Sequence, residues 1–525
     1  MLASAMLFGG CIKETFPTDA ATEPQIKDPQ SLVKAMNSQM VAVNAAKLLS
    51  NYGVHFDFGI PSVHLALDAM CEDFVFTGGG MDWFRYWGAN VALGETYIYC
   101  DLAWSNYYPL IKMSNDIIKK LDPASEDPAT KAALGMAHTY RAAFYLDLVR
   151  MFEFKENKYT DGTKVLGLAV PIVTENTTEQ MAANNPRAKV DEVYTFILED
   201  LAKAETYYEG IKRADKSTPD LSVVYGFYAR VYLERGIKDP ANYAKAAEYA
   251  RKAIDASGST PLTQDQWEDP VNGFNNMGIS SWMWGLRQST DNVNNLVNFT
   301  AFMANENNWG YGENAQYGAN KRLYDRVDKK DFRKHSWMDP QHTKFYAYKT
   351  NRKDPGFLDK LNPYANLKFR PAGGNLSNYK LGNATDYPMM RVEEMYLIEA
   401  EAAGQASITK GVALLNAFMK YRITDGSYDC TSKISDFRSL QEEIALQKRI
   451  EFWGEGITFF DFKRLRLGMT RGYKGTNVPE NYRLNADEIA PWWNWVIIRS
   501  EQQSNAAVLG HNNPDPTGTI APWEE

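Results

Sequence analysis

The chain has 525 residues and a formal net charge of −8, with 44% hydrophobic and 23% charged residues. This composition is typical of a globular protein and excludes a disordered or fibrous chain. The acidic balance argues against nucleic acid as a partner, because phosphate binding needs clustered Lys and Arg. The aromatic share of 13% fits stacking on sugar rings as well as the filling of a core.

Residues 1–11 form a short apolar run that ends in Gly9, Gly10 and Cys11. Small residues before a cysteine are typical of the end of a bacterial lipoprotein signal, in which the cysteine is cleaved at and acylated. Two features depart from that pattern: no basic residue precedes the run, and Phe8 stands where a small residue is usual. The run predicts lipidation at Cys11, and the polar residues 12–30 have the composition of a linker. The alternative is a free cysteine near a frayed terminus.

Helical periodicity begins near Ser31 and returns in several segments. Apolar residues recur at three- and four-residue spacing from Leu32, from Trp104 and across 132–152, which predicts helices with one buried face. Residues 222–256 predict two helices around a turn at 236–240, with small residues at their contact, and this spacing resembles a tetratricopeptide unit. A further Ala-rich pair is predicted at 389–404 and 408–421. Such units bury their faces by stacking, so the chain is predicted to be mainly α with a tetratricopeptide-like layer.

A loop between Thr77 and Asn90 is the first candidate binding site. Its glycines at 78–80 disfavour a helix interior. Trp83 and Trp87 offer stacking faces, and three polar neighbours offer hydrogen bonds to sugar hydroxyls: Asp82, Arg85 and Asn90. The alternative is that one or both rings plug the core beneath the loop.

Residues 260–385 are rich in Gly, Asn, Pro and Asp and show no sustained helical period, which predicts a long irregular insertion. Within it, Asn308, Trp309 and Tyr311 form the second candidate site, with loop packing as the alternative. Trp282 and Trp284 alternate as on a short strand with one face buried, which favours a core role. The three tryptophans at 492, 493 and 495 are also interpreted as structural.

Nothing in the sequence commits the chain to catalysis. Glu451 and Glu455 lie one helical turn apart among four basic residues, which are Lys448, Arg449, Lys463 and Arg464. The two carboxylates are therefore interpreted as scaffold charges paired with this basic group, rather than as the carboxylate pair of a glycosidase. The six histidines show no paired metal-ligand spacing, and no GxSxG or phosphate-loop motif is present. The cysteines fall in no CxxC pair, and the state of Cys71, Cys100 and Cys430 is left open. No metal-ligand residues and no cofactor are therefore assigned, and whether a structural metal ion is bound is left open.

Three blocks carry a family resemblance. They are Arg141–Phe152 followed by Val170-Pro-Ile-Val, then Tyr387–Ala402, then Lys448–Arg464. In this order they resemble the recurrent blocks of the SusD/RagB nutrient-binding outer-membrane lipoproteins. The stretch that begins at Trp495 is similar to the closing block of that family, although the usual Pro-Ile-Pro is absent.

The resemblance implies a single SusD-like domain over residues 31–525. Its tetratricopeptide helices would lie within about 31–256 and 388–467, with the loop-rich insertion between them. It also implies a non-enzymatic lipoprotein, anchored through Cys11 on the outside of the outer membrane, which captures oligosaccharides for a SusC-like TonB-dependent transporter. The rival interpretations are an outer-surface glycoside hydrolase and a tetratricopeptide scaffold that binds only protein. The glycan, or another nutrient such as a peptide, stays unassigned because a fold does not fix a ligand.

Overall fold

The structure is a computed structural model that describes residues 28–48, 54–76, 82–291, 293–341, 356 and 358–525. The predicted lipidation site Cys11 and the glycines at 78–80 lie outside these ranges. In the described part of the chain, no helix is long and apolar enough to span a membrane.

The described chain is mainly helical, with three short two-stranded sheets. The helices of the first half are α1 (Pro29–Gln39), α2 (Ile60–Ala69), α3 (Arg85–Gly88), α4 (Ile98–Lys120), α5 (Pro128–Phe152), α6 (Glu179–Ala182), α7 (Val190–Tyr208), α8 (Leu221–Gly236) and α9 (Asn242–Ser257). The helices of the second half are α10 (Gln264–Trp267), α11 (Phe299–Met303), α12 (Gly312–Ala315), α13 (Lys321–Arg326), α14 (Tyr379–Gly382), α15 (Val392–Ala406), α16 (Ile408–Met419), α17 (Phe437–Glu451), α18 (Thr458–Arg464) and α19 (Arg499–Ser504). The strands are β1 (Phe74–Val75), β2 (Trp282–Leu286), β3 (Gly318–Ala319), β4 (Tyr387–Arg391), β5 (Met469–Thr470) and β6 (Asn485–Ala486).

In the helical layer, most helices pack against the helices that precede and follow them in the chain. Helix α5 packs on α4 and α7, α8 packs on α7 and α9, and α15 joins α9 to α16 and α17. Antiparallel helix pairs that bury their faces only against the next pair are the arrangement of tetratricopeptide repeats. The predicted fold class, a mainly α protein with such a layer and a loop-rich subregion, is confirmed.

Helix α5 lies at the centre of this layer. Asp127 caps its first turn by accepting a hydrogen bond from the Thr130 amide (2.9 Å), and Pro128 occupies the first helical position. From Ala133 to Phe152 almost every residue is buried, because α4 and α7 cover opposite sides. A helix buried on all sides has little amphipathic contrast, so its sequence needs apolar and small residues around the whole circumference.

The predicted helix at 389–404 begins later than expected. Residues 387–391 form β4, which pairs antiparallel with β2, and the helix starts at Val392. Strand β2 is buried along its whole length rather than on one face. The ring of Trp284 stacks on Tyr140 of α5, with centroids 5.4 Å apart, so the small sheet lies between the helical layer and the loops. The structural role of the C-terminal tryptophans holds: the indole N–H groups of Trp492 and Trp493 both donate to the Met70 carbonyl.

Buried ion pairs join elements that are distant in sequence. Arg141 of α5 donates two hydrogen bonds of 2.7 Å to Asp200 of α7, and both side chains are 1% exposed. Arg464 of α18 makes an equivalent pair with Glu401 of α15. Bidentate guanidinium–carboxylate pairs fix orientation as well as distance, so the charges of the three family blocks serve to set helix positions.

Candidate functional site

The first predicted loop contains a helical turn. Residues 77–81 lie outside the described ranges, and residues 85–88 form α3. The ring side chains around this turn divide into two sets. Phe84 and Trp87 are fully buried, whereas Trp83 and Tyr86 are half-buried. Only the second set presents ring surface to solvent.

Trp87 is a core residue, and its prediction as a ligand contact is corrected. The side chain has 0% exposure and packs edge-on against Phe56 and Tyr99, with centroids 5.2 and 5.3 Å away. Phe84 lies against it at 5.5 Å. A ring enclosed on these sides offers no face to a sugar. Trp87 instead lies in the core beneath the half-buried rings of Trp83 and Tyr86.

Asp82 and Asn90 are also buried, which corrects their prediction as ligand contacts. The Oδ1 atom of Asp82 accepts hydrogen bonds from the Tyr317 hydroxyl (2.6 Å) and the Phe84 amide (3.1 Å). Burial raises the pKa of Asp82 to about 7, against the lowering effect of these hydrogen bonds. The Asn90 amide donates to the Pro516 carbonyl (2.7 Å). Both residues hold the ends of the loop in place.

Arg85 stays at the surface of this loop. Its Nη2 donates to the Tyr86 hydroxyl (3.0 Å), and the guanidinium lies 4.9 Å from the centre of the same ring. The Tyr86 ring also stacks on Tyr99 with centroids 4.1 Å apart. Arg85 is therefore a half-buried cation beside aromatic surface, and its contact with a ligand stays a prediction.

The two candidate loops meet at His55. The His55 ring stacks on Trp83 with centroids 4.9 Å apart and an angle of 26° between the planes. Its Nδ1 shares a hydrogen bond with the hydroxyl of Tyr311, whose ring lies 5.8 Å away. We call His55, Trp83 and Tyr311 the aromatic cluster. Burial lowers the pKa of His55, so its imidazole is neutral near pH 7 and can both donate and accept hydrogen bonds.

The members of the second candidate loop have different exposures. Tyr311 is only 5% exposed and stacks on Phe302 at 4.6 Å, so it positions His55 more than it offers a face of its own. Asn308 is exposed. The half-buried Trp309 donates its indole N–H to Asn383 Oδ1 (2.9 Å), which fixes the ring against α14.

His55 was not identified from the sequence. It lies in no motif, and 256 residues separate it from its hydrogen-bond partner Tyr311. Only the fold brings residues 54–58, the 82–90 turn and the 308–312 loop together. The two rings that contact His55, Trp83 and Tyr311, come from other segments, so its own sequence surroundings do not reveal the cluster.

Glu451 and Glu455 are buried scaffold charges, as predicted, but their partners differ from the expected ones. Glu451 ends α17, is 0% exposed, and accepts hydrogen bonds from three arginines outside the predicted basic group. They are Arg333, Arg391 and Arg422. Glu455 lies beyond the helix end and pairs with Lys368 and Arg391. These carboxylates tie the loop region to α17 and do not flank a cleft.

The cysteines and the possible metal ligands form no reactive site in the described part of the chain. Cys71, Cys100 and Cys430 are free thiols and all three are buried. Among the described residues, no group of three or more His, Cys, Asp or Glu is arranged to hold a metal ion.

A model of the SusD family matches residues 244–506, which is half of the chain. The chain belongs to the SusD family. A second family model, described as starch-binding associating with outer membrane, matches residues 32–233 of this SusD-family chain. The two matches together cover both parts of the helical layer and the loop region between them.

Known relatives agree with this assignment. A SusD-like protein of Bacteroides ovatus is 21% identical over 388 residues, 69% of this chain and 65% of that relative, so the alignment spans less than two thirds of the relative's length. The structure of a SusD-like carbohydrate binding protein from Bacteroides vulgatus matches with a TM-score of 0.71 at 20% identity, over 92% of this chain and 97% of that one. Surface glycan-binding protein A from Bacteroides fluxus matches with a TM-score of 0.64 at 17% identity, over 92% and 97% of the two chains. At such identities the likeness shows a shared SusD fold.

Proposed function

We propose that this SusD-family protein is a surface lipoprotein that captures oligosaccharides and delivers them to a partner TonB-dependent outer-membrane transporter. Sugar capture would take place at the aromatic cluster. The observation that carries the proposal is the half-buried Trp83, which is stacked on His55 and held in place by residues from three separate segments. The comparisons support the ligand class, because one matching family model is described as starch-binding and two similar structures are named as carbohydrate-binding or glycan-binding proteins.

The cluster has the chemistry that a sugar ring requires. A pyranose presents an apolar face that stacks on an aromatic ring and hydroxyl groups at its edge that need hydrogen-bond partners. Trp83 supplies ring surface, the neutral imidazole of His55 supplies a donor or an acceptor, and Asn308 and Arg85 supply further polar groups on the same two loops. The buried Phe56 and Trp87 beneath keep the exposed rings rigid, which reduces the entropy lost on binding.

Binding without cleavage is the second part of the proposal. Acid-catalysed glycoside hydrolysis needs two carboxyl groups on opposite sides of the scissile bond. Asp82, one residue before Trp83, is buried against Tyr317 and Phe84. Glu451 and Glu455 are enclosed by basic side chains. The carboxylates of Asp82, Glu451 and Glu455 therefore stabilise the fold and are not placed to cleave a glycosidic bond.

A glycan array probed with the purified chain tests this function. We expect retention on a subset of neutral oligosaccharides, and no new reducing ends after prolonged incubation with the glycans that bind. Release of reducing sugar would make the chain a hydrolase, and absence of binding to every glycan together with binding to a peptide library would make it a protein-binding scaffold.

A further inference from the structure

A groove of about 800 Å³ lies away from the aromatic cluster, between the start of α1, the start of α5 and the connection from α7 to α8. Arg287 and Ser289, just after β2, close one end. The volume falls within the ~300–1,000 Å³ of typical small-molecule sites. None of the residues of the aromatic cluster lines it, so a ligand in this groove would occupy a separate site.

The charge of the lining is strongly one-sided. Among the described lining residues there is no carboxylate, and there are four basic side chains: Lys34, Lys212, Arg213 and Arg287. The whole chain has a formal net charge of −8, so a wall with only basic charges is not a product of overall composition. Such a concave surface concentrates positive potential and attracts anions.

Two of these cations are fixed by partners outside the lining. Arg213 Nε lies 3.0 Å from Asp220 Oδ2, and Arg287 Nη1 lies 3.1 Å from Asp215 Oδ2. Lys34 and Lys212 are exposed and form no ion pair with any residue in the described ranges. The two lysines therefore provide the uncompensated charge of the groove, one from α1 and one from the α7–α8 connection.

Part of the groove's lining is apolar. Val33, Met136 and Ile211 supply aliphatic surface. The polar groups between them are already held: the Asn37 amide donates to the Ser217 carbonyl (3.1 Å) and its Oδ1 accepts from the Tyr140 hydroxyl (2.7 Å). A suitable ligand therefore combines a negative charge for the lysines with an apolar face for the floor.

We propose that this groove is a second glycan-binding site, selective for acidic oligosaccharides that carry carboxylate groups on the sugar ring. A uronic acid has the required combination, since its pyranose ring has an apolar face and its carboxylate can pair with a lysine. A membrane surface fits less well, because it is flat and cannot enter a groove.

The site extends the proposed function but has its own test. The probe is a short oligomer of galacturonic acid. It is compared with its methyl ester, in which each carboxylate is replaced by a neutral ester group. By calorimetry at low ionic strength, we expect the acid to bind at least tenfold more tightly than the ester. The double variant Lys34→Glu/Lys212→Glu should lose at least tenfold in affinity for the acid. The variant Lys410→Glu/Lys420→Glu makes the same charge change on two exposed lysines, one in α16 and one directly after it, and should bind as wild type.

The outcomes separate the two sites. Trp83→Ala should leave acid binding at the groove unchanged, even where it weakens binding of a neutral oligosaccharide. Equal affinity for acid and ester would overturn the inference, as would loss of acid binding in Trp83→Ala alone. Binding to phosphatidylglycerol vesicles that depends on the two lysines, without binding to the oligomer, would also overturn it and assign the groove to lipid. If the double Glu variant has a lower melting temperature than wild type, Lys34→Gln/Lys212→Gln replaces it. The ratio of the wild-type affinities for the acid and for the ester also tests the inference without any substitution.

Discussion

Replacement of Glu451 by Gln should destabilise the fold without affecting sugar binding. Glu451 is 0% exposed, and its carboxylate contacts Arg333, Arg391 and Arg422 at 2.7 to 3.0 Å. Loss of one charge from a buried ion-pair group typically costs about 3–5 kcal/mol, because the opposite charges stay buried. An unfolding entropy of about 2.1 cal/mol/K per residue over 525 residues corresponds to ~1.1 kcal/mol per kelvin. The melting temperature should therefore fall by about 3–5 °C.

Calorimetric melting curves at several pH values check this prediction. Burial alone would raise the pKa of Glu451, but the charges of Arg422 and Arg391 hold that pKa well below its usual range. The ionised group therefore stabilises the folded state above about pH 4.5, and this contribution is lost as the pH falls toward the lowered pKa, so wild type and variant should converge in acid. Glu442→Gln is the control, because its exposed pair with Arg438 on α17 should contribute less than about 0.5 kcal/mol. A melting temperature unchanged at pH 7 would refute the reasoning.

Three further predictions concern the loop and the anchor. Asp82 keeps a proton in the folded state between about pH 4 and pH 7, where the unfolded chain has lost it, so stability falls as the pH rises through this window. Asp82→Asn should remove that decline, and its melting temperature relative to wild type should increase from pH 4 to pH 8; a constant difference would contradict the raised pKa. Trp87→Ala should cost about 3–5 kcal/mol through the cavity it leaves, while the folded fraction should lose less glycan affinity than Trp83→Ala, because Trp87 supports the exposed rings without contacting the sugar; a stable variant that does not bind would return Trp87 to the site. Cys11→Ala should release the precursor from membranes of the native host, and equal membrane partitioning of both forms would exclude the anchor.

The helical layer was largely predictable from the sequence. Segments such as 132–152 and 222–256 carry local signals, namely apolar residues at helical spacing and small residues at helix contacts, and these depend on neighbours within a few positions. The single buried face predicted for 132–152 was too narrow, because neighbouring helices bury α5 on all sides. The start of α15 was misplaced because Met389 and Met390 suit a helix by propensity, whereas pairing with β2 holds them in a strand. Tertiary contact overrides weak local preference.

The site was less predictable, since burial is decided by distant segments. Trp83 and Trp87 stand four residues apart in similar sequence surroundings. Trp87 is enclosed by Phe56 and Tyr99, neither of which belongs to its own loop, and Trp83 is left at the surface beside His55. The partners of Glu451 were missed for the same reason, because its three arginines come from other parts of the chain.

The affinity of Trp83→Ala for a neutral oligosaccharide that the wild type binds is the most direct test of the aromatic cluster as the capture site. Loss of a stacked ring at a binding centre typically costs on the order of 2 kcal/mol or more, and each 1.4 kcal/mol is a factor of ten. We expect Trp83→Ala to bind at least about tenfold more weakly with a melting temperature close to wild type. Tyr421→Ala removes a ring that is 43% exposed beyond α16 and should bind as wild type. Unchanged affinity in folded Trp83→Ala would contradict the account and place glycan capture elsewhere on the molecule.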